Sequence, residues 1–291
     1  MGRNDPCWCG SQKKWKKCHF PQHDPSKKED ELANQYLRQY QIILKTPEQI
    51  EGIRKACQFS AHVLNELCKM AKAGVTTNEI DALSDKLHKE AGAVAAAQGY
   101  GSPPFPKGIC TSLNEVICHG IPNDIPLKEG DIMNIDVASI LNGYYGDCSR
   151  MVTIGKISAE KTLVVDVAKE ALDRAIKILK PGVLLLQIGE EIESYAERKG
   201  CSVVYQFVGH GVGLHFHEAP QIHHNRNQVN IPLAAGMIFT IEPMINAGVP
   251  EGLVDPHDGW VTRTKDGLPS AQWEHTVLIT ETGYEILTLL T

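Results

Sequence analysis

Two strand-like segments of this 291-residue chain carry carboxylates whose spacing indicates a metal site. Residues 131–140 and 146–155 roughly alternate between apolar and polar, and Asn142-Gly143 between them is typical of a two-residue hairpin turn. That turn pairs Asp136 with Ser149 and makes Asp147 the diagonal neighbour of Asp136 on the same face. Diagonal Cβ atoms lie about 7 Å apart, so the two carboxylates would repel each other unless cations lay between them. Two divalent metals about 3.5–4 Å apart would fit that gap.

Two further acids, Glu242 and Glu274, lie in apolar windows where an unpaired charge would be costly. Neither window contains an Arg, so metal ligation is favoured over a buried ion pair. Residues 209–218 crowd His210, His215 and His217 among glycines. A lone histidine is more often structural than a ligand, but the neighbouring glycines and acids favour a functional site here.

A second cluster of ligand types lies near the N-terminus, in the spacing Cys-x-Cys-x8-Cys-His from Cys7 to His19. Thiolate and imidazole ligands packed this closely are typical of zinc, and so short and hydrophilic a segment would need metal binding to fold. The alternative is an unstructured basic tail with incidental cysteines. The string resembles the SEC-C motif, a zinc knuckle found at the C-terminus of the bacterial preprotein-translocase ATPase and in various other proteins. The resemblance implies that one structural zinc ion is bound by Cys7, Cys9, Cys18 and His19.

The charge of the chain is unevenly distributed. Residues 1–28 carry seven Lys or Arg and two Asp, a net charge of +5. The rest of the chain carries a net charge of −11, which gives the total of −6. With Trp8 and Trp15, this basic end could contact RNA phosphates and stack on bases, or it could be only a solvated face. Ribosome association is therefore a hypothesis based on the charge.

The order of helical patterns predicts a duplicated α/β body after the basic end. Thr46-Pro47 and Gln49 have the form of a capped helix start. Two amphipathic helices separated by Gly-Val occur early in the body, and the same arrangement recurs later. These helices are predicted over residues 47–73, 77–90, 165–179 and 188–199. We predict residues 1–22 as the zinc motif, 23–44 as a linker with a short helix, and 45–291 as the body.

Each helical pair is followed by a β-rich segment with a similar strand. Gly130–Asp136 aligns with Gly236–Glu242, and an acid follows the glycine by six residues in both. The common order of these features indicates internal duplication, with a site at the pseudo-twofold axis between the copies.

From about Lys45 to Thr291, the chain resembles the bacterial-type (type I) methionine aminopeptidases, whose fold is the α/β pita-bread fold. Eight segments match in order: Asn114–Pro122, Asn134–Asp136, Gly146–Ser149, Gly209–Gly213, Phe216–Glu218, Thr240–Met244, Asp258–Trp260 and Ser270–Thr276. By this resemblance, two divalent ions are bound by Asp136, Asp147, His210, Glu242 and Glu274. One imidazole and four carboxylates form a hard site that suits Mn(II), Fe(II) or Co(II) better than structural zinc.

The resemblance also implies a reaction. A metal-bridging hydroxide would attack the scissile carbonyl and release the initiator methionine of nascent proteins whose second residue is small. His119 would contact the scissile amide nitrogen, His217 the carbonyl oxygen, and Glu242 would shuttle a proton.

The methionine pocket implied by the family is lined by Phe105, Cys110, Phe216 and Trp260, although each could instead be ordinary core packing. Residues 99–107 contain extra proline where family members often show Tyr-His-Gly-Phe/Tyr-Pro-Lys, so this wall of the pocket is expected to differ. A monovalent cation would be held by Asn114, Val116 and Ser270.

Two other functions remain open from sequence. A catalytically silent pita-bread protein could serve as a ribosome-binding module, although the complete set of ligands and histidines disfavours this. An X-Pro aminopeptidase or prolidase is also possible, although those enzymes carry a long N-terminal α/β domain that 45 residues do not provide.

Composition limits the setting in which the chain works. No apolar run approaches the roughly 20 residues of a membrane helix, and the N-terminus lacks a secretory signal. Six of the nine cysteines occur singly in ordinary helical or strand patterns, which suits a reducing cytosol. We therefore expect a cytoplasmic protein, and the family resemblance implies a monomer that acts on nascent polypeptide N-termini.

Overall fold

The computed structural model describes residues 3–19 and 25–289, apart from the side chains of residues 25–29. It divides into two compact units, Met1–Leu44 and Lys45–Thr291. The end of the predicted zinc motif and the start of the predicted linker, residues 20–24, lie outside the described residues.

The first unit contains a small loop that folds back on itself. The backbone N–H of Cys7 donates to the carbonyl of Lys13 at 2.8 Å, and that of Trp15 donates to the carbonyl of Asp5 at 2.8 Å. Trp15 is buried and begins a 3₁₀ turn, Trp15–Lys17. A helix, α1, follows at Pro25–Tyr40. The loop closure brings both ends of the cysteine string together.

Four helices belong to the second unit: α2 Pro47–Met70, α3 Thr77–Ala91, α4 Ala159–Lys177 and α5 Leu185–Arg198. The predicted start of α2 is confirmed, because the Thr46 side chain accepts from the Gln49 N–H while the Gln49 side chain accepts from the Thr46 N–H. The predicted start of α4 at residue 165 was wrong. The helix begins six residues earlier, where Ser158 caps it, and most of its first turn is exposed, so hydrophobic periodicity gave no signal there.

The strands are short, apart from one long hairpin. They are β1 Val94–Ala95, β2 Cys110–Leu113, β3 Val116–Cys118, β4 Ile132–Leu141, β5 Tyr144–Thr153, β6 Ser202–Val203, β7 Gly209–Gly211, β8 Glu218–Ile222, β9 Ile238–Ile241, β10 Met244–Asn246, β11 Gly252–Val254, β12 Thr262–Thr264, β13 Ser270–Gln272, β14 His275–Ile279 and β15 Tyr284–Ile286. Strands β1, β4 and β2 form one sheet, in which β5 also pairs with β4. A second sheet has the order β15-β14-β9-β7-β8. Two three-stranded sheets have the orders β13-β10-β6 and β11-β12-β3.

The two halves of the body repeat each other in backbone detail. Strands β4 and β9 each begin two residues after a glycine of left-handed φ, +90° at Gly130 and +87° at Gly236. The N–H of Gly130 donates to the carbonyl of Ile154, and the N–H of Gly236 donates to that of Ile279. These matched turns agree with the duplication read from the sequence, and they place Asp136 and Glu242 at equivalent points.

The core of the first half lies where α2 and α3 pack against the β4–β5 hairpin. Val63 and Leu67 of α2, Ile80 of α3, and Ile135 and Val137 of β4 are all fully buried in one cluster. This packing fixes the hairpin whose opposite face carries Asp136 and Asp147. Among the described residues, no helix is both long and apolar enough to span a bilayer.

Candidate active site

All five predicted ligands of the body line one cavity of about 300 Å³. Asp136 comes from β4, Asp147 from β5 and His210 from β7, while Glu242 follows β9 and Glu274 precedes β14. The register of the hairpin is the predicted one, with Asp136 opposite Ser149 and Ala138 opposite Asp147. Each ligand therefore depends on a different strand, and the fold brings them together.

Three of the five predicted ligands lie close enough to share one metal ion. Asp147, His210 and Glu274 each offer one atom within 4.8 Å of the others. The His210 Nε2 lies 3.7 Å from Asp147 Oδ2 and 3.6 Å from Glu242 Oε1. Asp136 lines the same cavity from the strand beside Asp147.

Burial shifts the pKa of every ligand toward its uncharged form. It raises the pKa of Asp136 to about 7 and that of Glu242 to about 8. Burial, followed by the charges of the other acids, raises the pKa of Asp147 and of Glu274 well above the ordinary value. Burial lowers the pKa of His210 to about 3.

The four acids have no compensating cation within the described part of the chain. None of them forms an ion pair with Lys or Arg there, and Asp147 Oδ1 is buried without a hydrogen-bond partner. Buried charges of one sign are strongly unfavourable unless they are paired or bind metal. The donor set and the unpartnered oxygen therefore fit divalent cations.

Three polar residues that sequence reasoning missed hold Glu242 in place. The Thr240 hydroxyl donates to Glu242 Oε1 at 2.8 Å, and Gln272 Nε2 donates to Oε2 at 3.1 Å. The Glu242 N–H donates to His224 Nε2 at 3.1 Å. Thr240 and Gln272 lie inside segments that match the family, which could have identified them, whereas nothing in the sequence marks His224. Thr240 Oγ1 also accepts from the backbone N–H of His210 at 3.0 Å, so it connects two ligands.

His119 and His217 line the same cavity. Burial, and to a smaller extent the charge of His217, lowers the pKa of His119 to about 4. Removal of water from around the imidazole lowers the pKa of His217 to about 4 as well. Both imidazoles are therefore neutral near pH 7, with one ring nitrogen able to donate and the other able to accept. The third histidine of the segment, His215, is exposed and does not line the cavity.

The apolar part of the cavity contains all four residues predicted for the pocket. Phe105 and Cys110 are buried, and Phe105 packs edge-to-face on Trp260 at 5.3 Å between ring centroids. Phe216 contacts Tyr100 at 4.9 Å. Cys110 pairs directly with Asp136 across β2 and β4, so the apolar pocket adjoins the ligand cluster. Burial raises the pKa of the Cys110 thiol well above its ordinary value, which keeps it neutral.

The residues predicted for a monovalent cation lie near one another at the end of β2. Asn114 has a left-handed φ of +52°, and its carbonyl accepts from the Ser270 N–H at 2.9 Å. Val116 begins β3 two residues later.

The first unit gathers the cysteine string into a compact cluster. Ligand atoms of Cys7, Cys9, Cys18 and His19 all lie within 4.8 Å of one another. The Cys7 Sγ lies 3.2 Å from His19 Nδ1, and the Cys9 Sγ lies 3.6 Å from the Cys18 Sγ. Hydrogen bonding by the Ser11 side chain lowers the pKa of Cys9 to about 6, so this thiol ionises easily. All nine cysteines of the chain are free thiols. Three thiols and one imidazole at these separations fit one tetrahedral zinc ion.

Comparisons with known proteins cover both units. The model of metallopeptidase family M24 matches residues 51–281, and that of the SEC-C motif matches residues 3–21. A methionine aminopeptidase of Chlamydia pneumoniae is 63% identical over 290 residues, which cover 100% of this chain and 99% of that protein. The methionine aminopeptidase of Escherichia coli K12 is 45% identical over 251 residues, or 85% of this chain and 94% of that one. The crystal structure of methionine aminopeptidase from Rickettsia prowazekii superposes with a TM-score of 0.82 at 42% identity, covering 85% of this chain and 100% of that chain.

Proposed function

This chain belongs to metallopeptidase family M24 and is a bacterial-type metallo-aminopeptidase that removes initiator methionine, and we propose that the five cavity ligands hold its two divalent cations. The observation that carries the proposal is the group of four buried acids without a Lys or Arg partner among the described residues. The similarity extends over nearly the full length of the Chlamydia relative, which favours this function over a silent binding module or an X-Pro peptidase.

The ligand atoms favour particular metals. Four carboxylates and one imidazole, without a thiolate, select hard or borderline divalent ions such as Mn(II), Fe(II) or Co(II). When bound, such ions polarise a carbonyl oxygen and lower the pKa of water, so that it becomes a nucleophile near neutral pH.

The chain's own residues would then orient the substrate and move protons. Neutral His119 holds the scissile amide nitrogen, and neutral His217 donates to the carbonyl oxygen as negative charge develops on it. Glu242 is fixed by Thr240 and Gln272, and its carboxylate carries a proton from the attacking water to the leaving amine.

The pocket beside the ligands suits a methionine side chain. Phe105, Phe216 and Trp260 supply aromatic surface, and the neutral Cys110 thiol adds a polarisable contact for the thioether. We propose that peptides with a small second residue are preferred, and that Asn114, Val116 and Ser270 hold a monovalent cation close to the active site.

A metal-dependent assay tests the main proposal. The chain is stripped with chelator, reloaded with Mn(II), Fe(II) or Co(II), and assayed on Met-Ala-Ser, Met-Leu-Ser and Ala-Pro-Ser. We expect rapid cleavage of Met-Ala-Ser with about two metals per body, slow cleavage of Met-Leu-Ser and none of Ala-Pro-Ser. Cleavage of the X-Pro peptide alone would contradict the proposal, and a lack of all cleavage by the reloaded chain would favour a silent module.

His119→Ala and His217→Ala separate the substrate-orienting role from metal binding. Each is expected to lower kcat about 10²-fold or more, as loss of an oriented polar group does, while metal content stays unchanged. A variant that lost its metals but kept its activity per bound metal would refute the assigned role of that histidine.

For the first unit, we propose that the cysteine cluster binds one structural zinc and that the basic surface beside it associates with ribosomal RNA. The chain would then act in the cytoplasm, as a monomer, on N-termini that emerge from the ribosome. Lys13, Lys14, Lys16 and Lys17 are replaced by Gln together, and ribosome co-sedimentation is measured across a salt series. We expect the slope of log affinity against log salt concentration to become shallower, by the equivalent of up to about four phosphate contacts. Each phosphate contact releases counterions and so contributes to this slope. Unchanged co-sedimentation at every salt concentration would remove RNA as the partner.

A further inference from the structure

The segment Gly99–Phe105, which departs from the family pattern, forms a loop closed by its own backbone. The Gly99 N–H donates to the Phe105 carbonyl at 2.8 Å, and the Phe105 N–H donates to the Tyr100 carbonyl at 2.8 Å. Tyr100 and Phe105 line the active-site cavity, whereas the residues between them lie outside it. The residues between Tyr100 and Phe105 therefore lie behind the cavity wall rather than in it.

A second loop presents Trp260 to the same cavity from the connection between β11 and β12. Asp258 Oδ1 accepts from the N–H of Trp260 at 2.7 Å and from the N–H of Val261 at 2.9 Å. The Gly259 N–H donates to the Asp255 carbonyl at 2.8 Å. These bonds fix the backbone that carries the indole, but they do not fix the indole ring.

The ring itself is held by the first loop. The Trp260 Nε1–H donates to the Pro103 carbonyl at 2.9 Å. The backbone of Gly101 lies so close that a Cβ placed there would be 2.6 Å from a ring carbon of Trp260. On its other sides, the indole meets Phe105 at 5.3 Å and His119 at 5.6 Å between ring centroids, edge-to-face in both cases.

We propose that Gly101 and Pro103 determine specificity by positioning Trp260 as a rigid wall of the methionine pocket. An unbranched thioether side chain packs against a fixed indole, whereas a branched side chain needs space that the fixed ring denies. This inference rests on the proposed function, because the pocket is the place where the first residue of the substrate binds. Gly101 and Pro103 touch neither the substrate nor the metal ligands, so they are positioning residues.

The contact between Gly101 and Trp260 can be separated from the backbone requirement for glycine. Gly101 has φ +76° and Gly99 has φ +79°, so an alanine is strained to a similar degree at either position. A Cβ on Gly99, however, would meet no atom within 4 Å. Gly99→Ala is therefore a matched control in the same loop, and only Gly101→Ala displaces the indole.

The test uses the metal-loaded full chain and peptides X-Ala-Ser in which X is methionine, norleucine or leucine. For Gly101→Ala, we expect kcat/KM on the methionine peptide to fall about 10-fold, mainly through KM, because losing the contact of about one methylene in an apolar pocket costs about 10- to 200-fold. Cleavage of the leucine peptide should stay constant or rise, so the methionine-to-leucine ratio falls at least about 10-fold. Gly99→Ala should keep this ratio within about twofold of the wild-type value, because it leaves the indole in place.

A second series covers the case in which Gly101→Ala does not fold. Trp260→Phe removes the N–H that bonds Pro103 and shortens the ring, and it should lower the same ratio. In the Trp260→Phe background, Gly101→Ala should have little further effect, since the smaller ring no longer meets the added methyl group. Such non-additivity is the signature of direct contact between two positions.

Clear results would overturn the proposal. Equal ratios for Gly101→Ala and Gly99→Ala, or additive effects of Gly101→Ala and Trp260→Phe, would show that the loop does not position the ring. If the metal-loaded wild-type chain cleaved no methionine peptide, the proposed function would fail. The positioning role of the loop would then be tested by the binding of free methionine and free leucine, measured by tryptophan fluorescence. An equal preference for methionine in wild type and Gly101→Ala would then refute it.

Discussion

The two candidate metal sites of this chain draw their side chains from the sequence in opposite ways. Cys7, Cys9, Cys18 and His19 come from one short loop, whereas the ligands of the body come from five separate strand regions between Asp136 and Glu274. A short loop buries little apolar surface, so we expect its order to depend on a bound metal. The candidate ligands of the body lie on or beside strands, and those of the β4–β5 hairpin pack against an extensive apolar core. Local ligand spacing therefore suits a structural ion, and long-range assembly suits a site whose geometry must be fixed for catalysis.

The clusters also differ in how their environment acts on ionisation. Hydrogen bonding lowers the pKa of Cys9 to about 6, which prepares a thiolate for zinc. Burial raises the pKa of Asp136 to about 7 and that of Glu242 to about 8, so the metal-free body retains protons on its acids. Metal binding in the body must therefore release protons near neutral pH.

The largest expected effect comes from removing one charge of the body cluster. Asp136→Asn keeps the shape of the side chain but removes a metal-binding carboxylate, and we expect kcat/KM on Met-Ala-Ser to fall on the order of 10³-fold. The metal-free variant should unfold at a higher temperature than the metal-free wild type, because one repelling acid is gone. Kinetics, metal analysis and thermal unfolding measure these changes. Near-wild-type activity with a full metal load would remove Asp136 from the ligand set.

A smaller effect is expected from the residue that connects two ligands. Thr240→Val removes the hydroxyl that donates to Glu242 and accepts from His210, while it preserves the β-branched shape in strand β9. Loss of a hydrogen bond that orients a metal ligand costs about 10- to 100-fold in metal affinity or activity. Thr276→Val is the matched control. Thr276 is buried in β14 directly opposite Thr240, and its hydroxyl donates to the backbone carbonyl of Asp147 rather than to a side-chain ligand atom. Equal losses in the two variants would show a general cost of losing a buried hydroxyl.

The sequence predicted the geometry of the β4–β5 hairpin well. Asn142-Gly143 fixed the hairpin register, because a two-residue turn leaves one pairing for the strands, and Asp136 and Asp147 follow from that register. The Thr46 cap and the duplicated Gly130 and Gly236 turns are likewise local signals.

Features that depend on distant contacts were not predictable from the sequence. His224 reaches Glu242 through a backbone bond that no spacing encodes. The contact between Pro103 and Trp260 joins residues far apart in the chain, and it exists only because two loops meet over one cavity. The start of α4 is a different case, because Ser158 is a local cap but the exposed residues of the first turn carry no apolar periodicity.

The pH dependence of the metal-free chain tests the electrostatic difference between the clusters. A carboxyl whose pKa is raised by folding stabilises the folded state below its unfolded pKa, and this contribution is lost as the pH rises through the folded pKa. For Asp136 and Glu242, the loss extends from about pH 4 to pH 7–8. In chelator, we expect the free energy of unfolding obtained from urea titrations to fall between about pH 6.5 and pH 8, by at most about 1.4 kcal/mol per pH unit for each of these carboxyls. Below that range, buried histidines such as His210 and His224, whose pKa burial lowers to about 3, act in the opposite direction. Mn(II) should flatten this dependence, and a free energy of unfolding that rose between about pH 6.5 and pH 8 in chelator would contradict it.

The smallest effect on catalysis is expected from disrupting the other cluster. Cys18→Ser removes one zinc ligand, and we expect the bound zinc to fall by one ion per chain and the amide signals of residues 3–19 to lose their dispersion in NMR spectra. The body folds around its own core, so kcat/KM on short methionine peptides should stay within about twofold of the wild-type value. Ser11→Ala is a milder companion, because it removes the hydrogen bond that lowers the pKa of Cys9 but keeps all four ligands. It should weaken zinc binding most strongly below pH 7, where Cys9 would then hold its proton. Loss of peptide cleavage in Cys18→Ser, with the body metals still present, would show that the zinc cluster supports catalysis directly.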